Sequence, residues 1–330
     1  MDKKMLRWFR NKQIFRQEVV NMERKMLLKK EVVPYSIETE QYVAVPINDV
    51  VMQLVEGINK LKYVEVPISA VPYCDELTAI TEKQNKITLS IFNMDVADVG
   101  TAKKLIRPSQ VQLLLYILHR YQREGTSSFR LNIREYFALR QITRRKENVD
   151  RFYQDLAVLS AVSIEISSTK KGNDYHLFGS LLKFEKSRDI QITMGNWIED
   201  LSSTTFTMLH KNFFGYAPSQ KMSVLLSLKL AQLMKVNSTN SRSSFSIKIK
   251  TLIPYLAIEE KQIVKQGFTF YKKVLEQSFL ELLSSEGYEL SFPNSVDSRD
   301  EFLQATIQYK HEWLHSYYQQ LKKAKSTVKK

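Results

Sequence analysis

"LNIREYFALRQITRRKENVDRFYQDLAVLSAVSIEIS", residues Leu131–Ser167, is the stretch on which the fold turns. A short apolar run breaks at Arg140, resumes after Arg144, Arg145 and Lys146 as a long amphipathic pattern, and ends in strand-like alternation. Cations at the start of a helix oppose the backbone dipole, so packing alone gives no reason to place them there. A helix whose N-terminal end approaches phosphates has such a reason. Within the long helix Val149, Phe152, Tyr153, Leu156 and Leu159 fall at core spacing. Arg144, Asn148, Arg151 and Asp155 fall on the other side. Thr143 stands where a cap is expected, and Asn132 can cap the short helix before it.

Working outward, "RPSQVQLLLYILHRYQREG" upstream reads as a helix with Pro108 at its permissive start and Gly125 as its stop. Val111, Leu114, Leu115 and Leu118 form its buried stripe. "SSFRLN" is a strand. Downstream, "VSIEIS" and "YHLFGSLLKF" form a hairpin across "STKKGND", where Gly172 and Asn173 are turn residues. Helix, strand, helix, turn, helix, hairpin is the winged-helix order.

The order then recurs. "SQKMSVLLSLKLAQLMKVN" is a helix with Ser219 as its expected cap, "FSIKIK" a strand, and "TLIPYLAI" a short helix capped by Thr251. "FTFYKKVLEQSFLELLSSEG" is a long helix stopped by Gly287, "YELSF" a strand, and "FLQATIQYK" its return strand. The connection "DIQITMGNWIEDLSSTTFTMLHKNFFGY" is too apolar for a free tether. Ile190, Ile192 and Met194 read as a strand, and Trp197, Ile198 and Leu201 as a helical turn with a buried face. The expected class is α+β, with two tandem winged-helix domains over 101–200 and 201–315. A basic helical arm (1–33) and a mixed extension (34–100) of no assigned role precede them. A basic tail (316–330) follows. In the extension Asn48 caps "NDVVMQLVEGINKL".

This arrangement resembles that of plasmid replication initiators of the iteron-binding type. The pattern strand, short helix, turn, long basic helix, strand stands at 128–167 and 245–292, and the resemblance covers roughly residues 100–315. It implies binding to repeated double-stranded sites at an origin, recruitment of host replication proteins, and a homodimer that represses its own gene. The chain departs from that family in carrying about 100 residues ahead of the first repeat.

Bulk properties agree with a polyanion as partner. The net charge is +14 over 330 residues, and hydrophobic residues make up 43%, enough for real cores. No apolar run approaches the roughly 18 residues of a membrane span. Cys74 is the single cysteine, which excludes a disulfide framework and fits a reducing, bacterial cytoplasm.

Catalytic readings find little. The histidines at 119, 176, 210, 311 and 315 contain no pair spaced for the metal of a nicking enzyme. His311 and His315 lie four apart, without the acid of an H-E-x-x-H site, and read as a solvated face beside the basic tail. No phosphate-binding glycine loop and no G-x-S-x-G elbow occur. No cofactor and no metal is implied.

For binding, Arg140, Arg144, Arg145, Lys146 and Arg151 suit guanine edges or phosphate, and Asn148 suits adenine. A solvated helix face is the bland alternative. Lys170 and Lys171, beside Thr169 at the hairpin tip, would form a wing, with a plain polar turn as the alternative. In the second repeat Lys261, Lys265, Lys272 and Lys273 suit phosphate positioning. Phe152, Tyr153, Phe270 and Phe279 read as core. Two other functions stay open: a winged-helix transcriptional regulator, and a strand-nicking initiator with an unrecognised site.

Overall fold

The computed structural model describes residues 41–60, 62–64, 76–82, 86–91, 108–168, 175–186, 189–200, 206–238, 242–256, 258, 260–292 and 296–328. The arm expected over 1–33, Cys74, Thr169, Lys170, Lys171 and the turn at Gly172 and Asn173 lie outside these residues. What is described mixes helices with small antiparallel sheets, the α+β class.

The extension supplies β1 (Tyr42–Val45), α1 (Asp49–Lys60), β2 (Lys62–Val64), β3 (Glu76–Glu82) and β4 (Lys86–Ile91). Asn48 caps α1 as its side-chain chemistry predicts, Oδ1 accepting the Val51 N–H at 2.9 Å.

The first repeat follows with α2 (Pro108–Glu124), β5 (Ser128–Leu131), α3 (Ile133–Leu139), α4 (Lys146–Ala161), β6 (Val162–Ser168), β7 (Tyr175–Ser180), β8 (Leu182–Lys186) and β9 (Ile190–Met194). Gly125, at φ +70, ends α2 and donates to the Tyr121 carbonyl. Asn132 caps α3, accepting the Arg134 N–H at 2.9 Å. The apolar stripe expected on α2 widens to its whole circumference, because every residue from Pro108 to Leu118 is buried, including Gln110 and Gln112. That helix packs against α4, β1, β5 and α1 at once. Thr143 does not cap α4. Arg145 takes that place without a side-chain bond, and Thr143 instead offers its carbonyl to Asn148 Nδ2 at 2.8 Å.

The hairpin after α4 corrects the expected wing. β6 and β7 do pair, from Ser163 with Ser180 to Ser168 with Tyr175. They do so in a five-stranded antiparallel sheet of order β2-β3-β4-β6-β7, with β6 lying beside β4 of the extension. Burial explains the choice: Val162, Ile164 and Ile166 are all 3% exposed or less, and Leu89 of β4, opposite Ile164, is fully buried. The run read as one strand, 175–184, breaks at Leu181, and its second part (β8) enters another sheet of order β5-β9-β8. Close to that break sits Gly195, where an added Cβ would lie 1.8 Å from the Ser180 carbonyl oxygen.

The described part of the connection is packed, as its apolar content implies. After β9 a 3-10 turn, Asn196–Asp200, buries Trp197 completely, its Nε1 donating to the Leu181 carbonyl at 2.7 Å. Leu201 lies outside the described residues. β10 (Thr207–His210) then pairs with β1.

A short helix, α5 (Asn212–Gly215), follows, and the second repeat then runs through α6 (Lys221–Asn237), β11 (Ser244–Lys248), α7 (Ile249–Leu252), α8 (Glu260–Gln266), α9 (Phe268–Glu286), β12 (Glu289–Ser291), α10 (Arg299–Gln304), β13 (Thr306–Lys310) and α11 (Glu312–Val328). Three local expectations shift. The N-cap of α6 is Gln220 rather than Ser219, α7 starts before Thr251, and "FLQATIQYK" is half helix, half strand. A Ser298–Glu301 capping box nucleates α10 in place of a longer return strand. The sheet order is β11-β13-β12. Strand for strand this matches β5-β9-β8, so the recurrence read in the sequence extends to sheet topology.

Candidate nucleic-acid interface

Each repeat places a long helix, α4 or α9, beside its three-stranded sheet, and the sites proposed from sequence divide around these helices. At the start of α4 Arg144, Arg145 and Lys146 are exposed, and Arg151 is exposed one and a half turns on. Asn148 is half-buried, with its amide nitrogen committed to the Thr143 carbonyl. Around α9, Lys265 and Lys273 are exposed and Lys272 is half-buried. Lys261 lies in α8.

Arg140 is turned inward and does not join the exposed set. Only 9% of it is accessible. Its Nε donates to the Phe214 carbonyl at 3.1 Å, and its guanidinium lies 5.8 Å from the centre of the Tyr136 ring. Asp155, expected on the polar side of α4, is buried too, at 3%. Tyr136, Phe137 and Phe152 cluster beneath the turn between α3 and α4, with ring centres 5.6–6.3 Å apart. A turn that leans on this cluster buries its own first arginine.

Among the aromatics, Phe152 and Phe279 are buried and Tyr153 is half-buried. Phe270 is the exception: it is 51% exposed at the first turn of α9, while Tyr271 takes the inward position.

Two features lacked a sequence reading. Strand β8, in the sheet beside α4, ends at Lys186, whose Nζ sits 4.2 Å over the Tyr153 ring. Asp189, just ahead of β9, pairs with Arg130 of β5 at 3.3 Å. The signal was present as the polar break "EKSRD" between two alternating runs. The second feature is a polar ladder across the outer sheet face, where Gln191 donates to Ser128 Oγ at 2.8 Å and Ser128 meets Thr193 at 3.2 Å.

His311 is not solvated. It is 4% exposed, donates from Nε2 to the Glu286 carbonyl at 3.0 Å, and accepts the Leu314 N–H at Nδ1. Burial holds it at about 4, well below the ordinary histidine value. Burial pushes the Glu286 carboxyl the other way, up to about 7, although Ser227 donates to it at 2.7 Å. Among the described residues no cluster of three or more His, Cys, Asp or Glu could hold a metal, and no helix is long and apolar enough to cross a membrane.

No family model and no curated protein matches this chain. Its likeness is to solved structures. The selenomethionine crystal structure of domains 2 and 3 of RctB aligns over 78% of this chain and 98% of its own, at 13% identity and a TM-score of 0.42. A second crystal structure of RctB domains 2-3 aligns over 73% and 93%, at 12% identity and a TM-score of 0.38.

Proposed function

We propose that this chain is a replication initiator of a plasmid or mobile element. It binds repeated double-stranded DNA sites at an origin through two winged-helix units and recruits host replication proteins in the bacterial cytoplasm. It acts by binding and not by catalysis. The observation that carries the reading is the recurrence: helix, strand, short helix, long helix and two strands come in the same order twice, with β6 and β7 inserted in the first copy and α8 and α10 in the second, and close sheets of the same order. Each copy presents cations at or near the N-terminal end of its long helix, the end that reaches base edges in helix-turn-helix docking. In the first unit Arg144, Arg145, Lys146 and Arg151 read and position the duplex, with Asn148 beside them. In the second, Lys261, Lys265, Lys272 and Lys273 hold phosphates. The strand pair β8 and β9, with Lys186 at the end of β8, takes the place of the wing of the first unit, since β6 and β7 pair in a different sheet.

Selection of bound duplexes from a random-sequence pool, followed by footprinting, tests the reading. Directly repeated sites, with affinity falling by several powers of ten between low and moderate salt for about six or more phosphate contacts, are expected. A single palindrome would favour a transcriptional regulator, and metal-dependent scission of one strand a nicking enzyme. Salt-independent binding would remove the proposal.

A further inference from the structure

The short helix α5, between the two repeats, is gripped from both sides. A four-residue helix leaves its last carbonyls without intrahelical partners. Here side chains of the first repeat take them. Gln112, fully buried in α2, donates from Nε2 to the carbonyls of Phe213 at 2.9 Å and Tyr216 at 3.2 Å. Arg140, from the turn that leads into α4, donates to the carbonyl of Phe214. A guanidinium at a helix C-terminus also suits the helix dipole. The opposite side of α5 holds the second repeat. Asn212 Nδ2 donates to the Ser285 carbonyl at 2.6 Å, and the Tyr216 hydroxyl meets Ser285 Oγ at 2.6 Å, both at the last turn of α9. Gln141, at φ +54, adds an exposed link to Asn212 Oδ1 at 3.2 Å. Phe213 and Phe214 are fully buried, so the helix cannot shift without opening the core.

We propose that α5 is a coupling element and that Gln112 and Arg140 are positioning residues. Together they hold the start of α4 and the end of α9 in one fixed relation. Arginine is needed at position 140 because the turn must both rest on the Tyr136 ring and reach a carbonyl of another element. In its consequence for DNA the inference rests on the function proposed above: a protein coupled in this way accepts one spacing between half-sites.

Two measurements on the full chain separate the claims. Spin labels at Gln154→Cys and Gln277→Cys, exposed positions on α4 and α9, in a Cys74→Ser background, report the distance between the helices without DNA. The parent should give one narrow distribution. Arg140→Met should broaden it, and so should Asn212→Ala/Ser285→Ala. The latter trims two half-buried side chains and decides the matter should Arg140→Met fail to fold. A broad distribution in the parent, or narrow and unchanged ones in the variants, overturns the coupling. In the second measurement, five base pairs are inserted between selected half-sites, a rotation of about half a turn. The parent should lose at least about tenfold in affinity, and Asn212→Ala/Ser285→Ala much less, as flexibly linked modules do. If no duplex is bound at all, the proposed function fails while the distance measurement still decides the coupling.

Discussion

At the scale of single residues, local chemistry and tertiary contact sort the arginines. Arg140 and Arg144 stand four apart in the same basic cluster, yet one is buried against a ring and a carbonyl and the other is exposed. Arg144→Ala should therefore leave the thermal midpoint nearly unchanged. It should cost on the order of 1–3 kcal/mol in DNA affinity, concentrated at particular base pairs. Lys272→Ala should weaken binding more evenly across sequences. Competition assays on single-base variants of the selected site tell the two apart, and an equal loss on all DNAs from both would refute base reading by α4. Gly195→Ala tests stability alone: with a backbone oxygen 1.8 Å from the new Cβ, neighbouring strands must move. A loss on the order of 3 kcal/mol in urea unfolding is expected. A loss below about 0.5 kcal/mol, the level of an ordinary surface change, would contradict the close approach.

At the scale of elements, the caps legible in the sequence are those whose geometry is purely local. Asn48, Asn132, Gly125 and Gly287 act where they were expected to, because a short side chain or a missing Cβ completes the turn within a few residues. Gly287 takes φ +81, and its N–H and that of Tyr288 satisfy the Leu282 and Leu283 carbonyls that end α9. Gly287→Ala should cost about 1 kcal/mol, read as a lower urea midpoint with an unchanged slope. Thr143, Ser219 and Thr251 were equally good caps on paper and are not used. The hairpin shows the same limit, since alternation in "VSIEIS" marks a strand but not which sheet it joins.

At the scale of the whole molecule, burial of ionisable groups at the joint makes stability depend on pH. His311 is held at about 4 against an ordinary 6.5, and His119 and His210 are lowered too, each chiefly by burial. Between those values the unfolded chain binds more protons than the folded one, so their contribution rises with pH and is lost as pH falls from about 6.5 towards 4. Glu286 opposes this. Raised from 4.5 to about 7, it keeps a proton that the unfolded chain has released, so its contribution falls as pH rises through that window. Glu286→Gln should remove the second trend. Its stability relative to the parent should grow between pH 5 and pH 8, by on the order of 3 kcal/mol at most, in urea titrations at each pH. A constant difference would mean that the carboxyl does not titrate in the folded chain.

The sequence by itself determined the mixed class, the helix, strand, short helix, long helix order of each repeat, its recurrence and the exposed cations ahead of α4. All of these follow from apolar period, caps and charge within some twenty residues of chain. It also marked the connection between the repeats as packed, through its apolar content. Only the tertiary structure decided three things: that β6 and β7 complete the extension's sheet, that His311 is buried, and that Arg140 faces inward. Each of these depends on a partner far along the chain — β4 for β6, Glu286 for His311, Phe214 for Arg140. Periodicity assigns a residue to a face of its own element. Which face becomes interior is settled when a distant element covers it, and no local pattern carries that information.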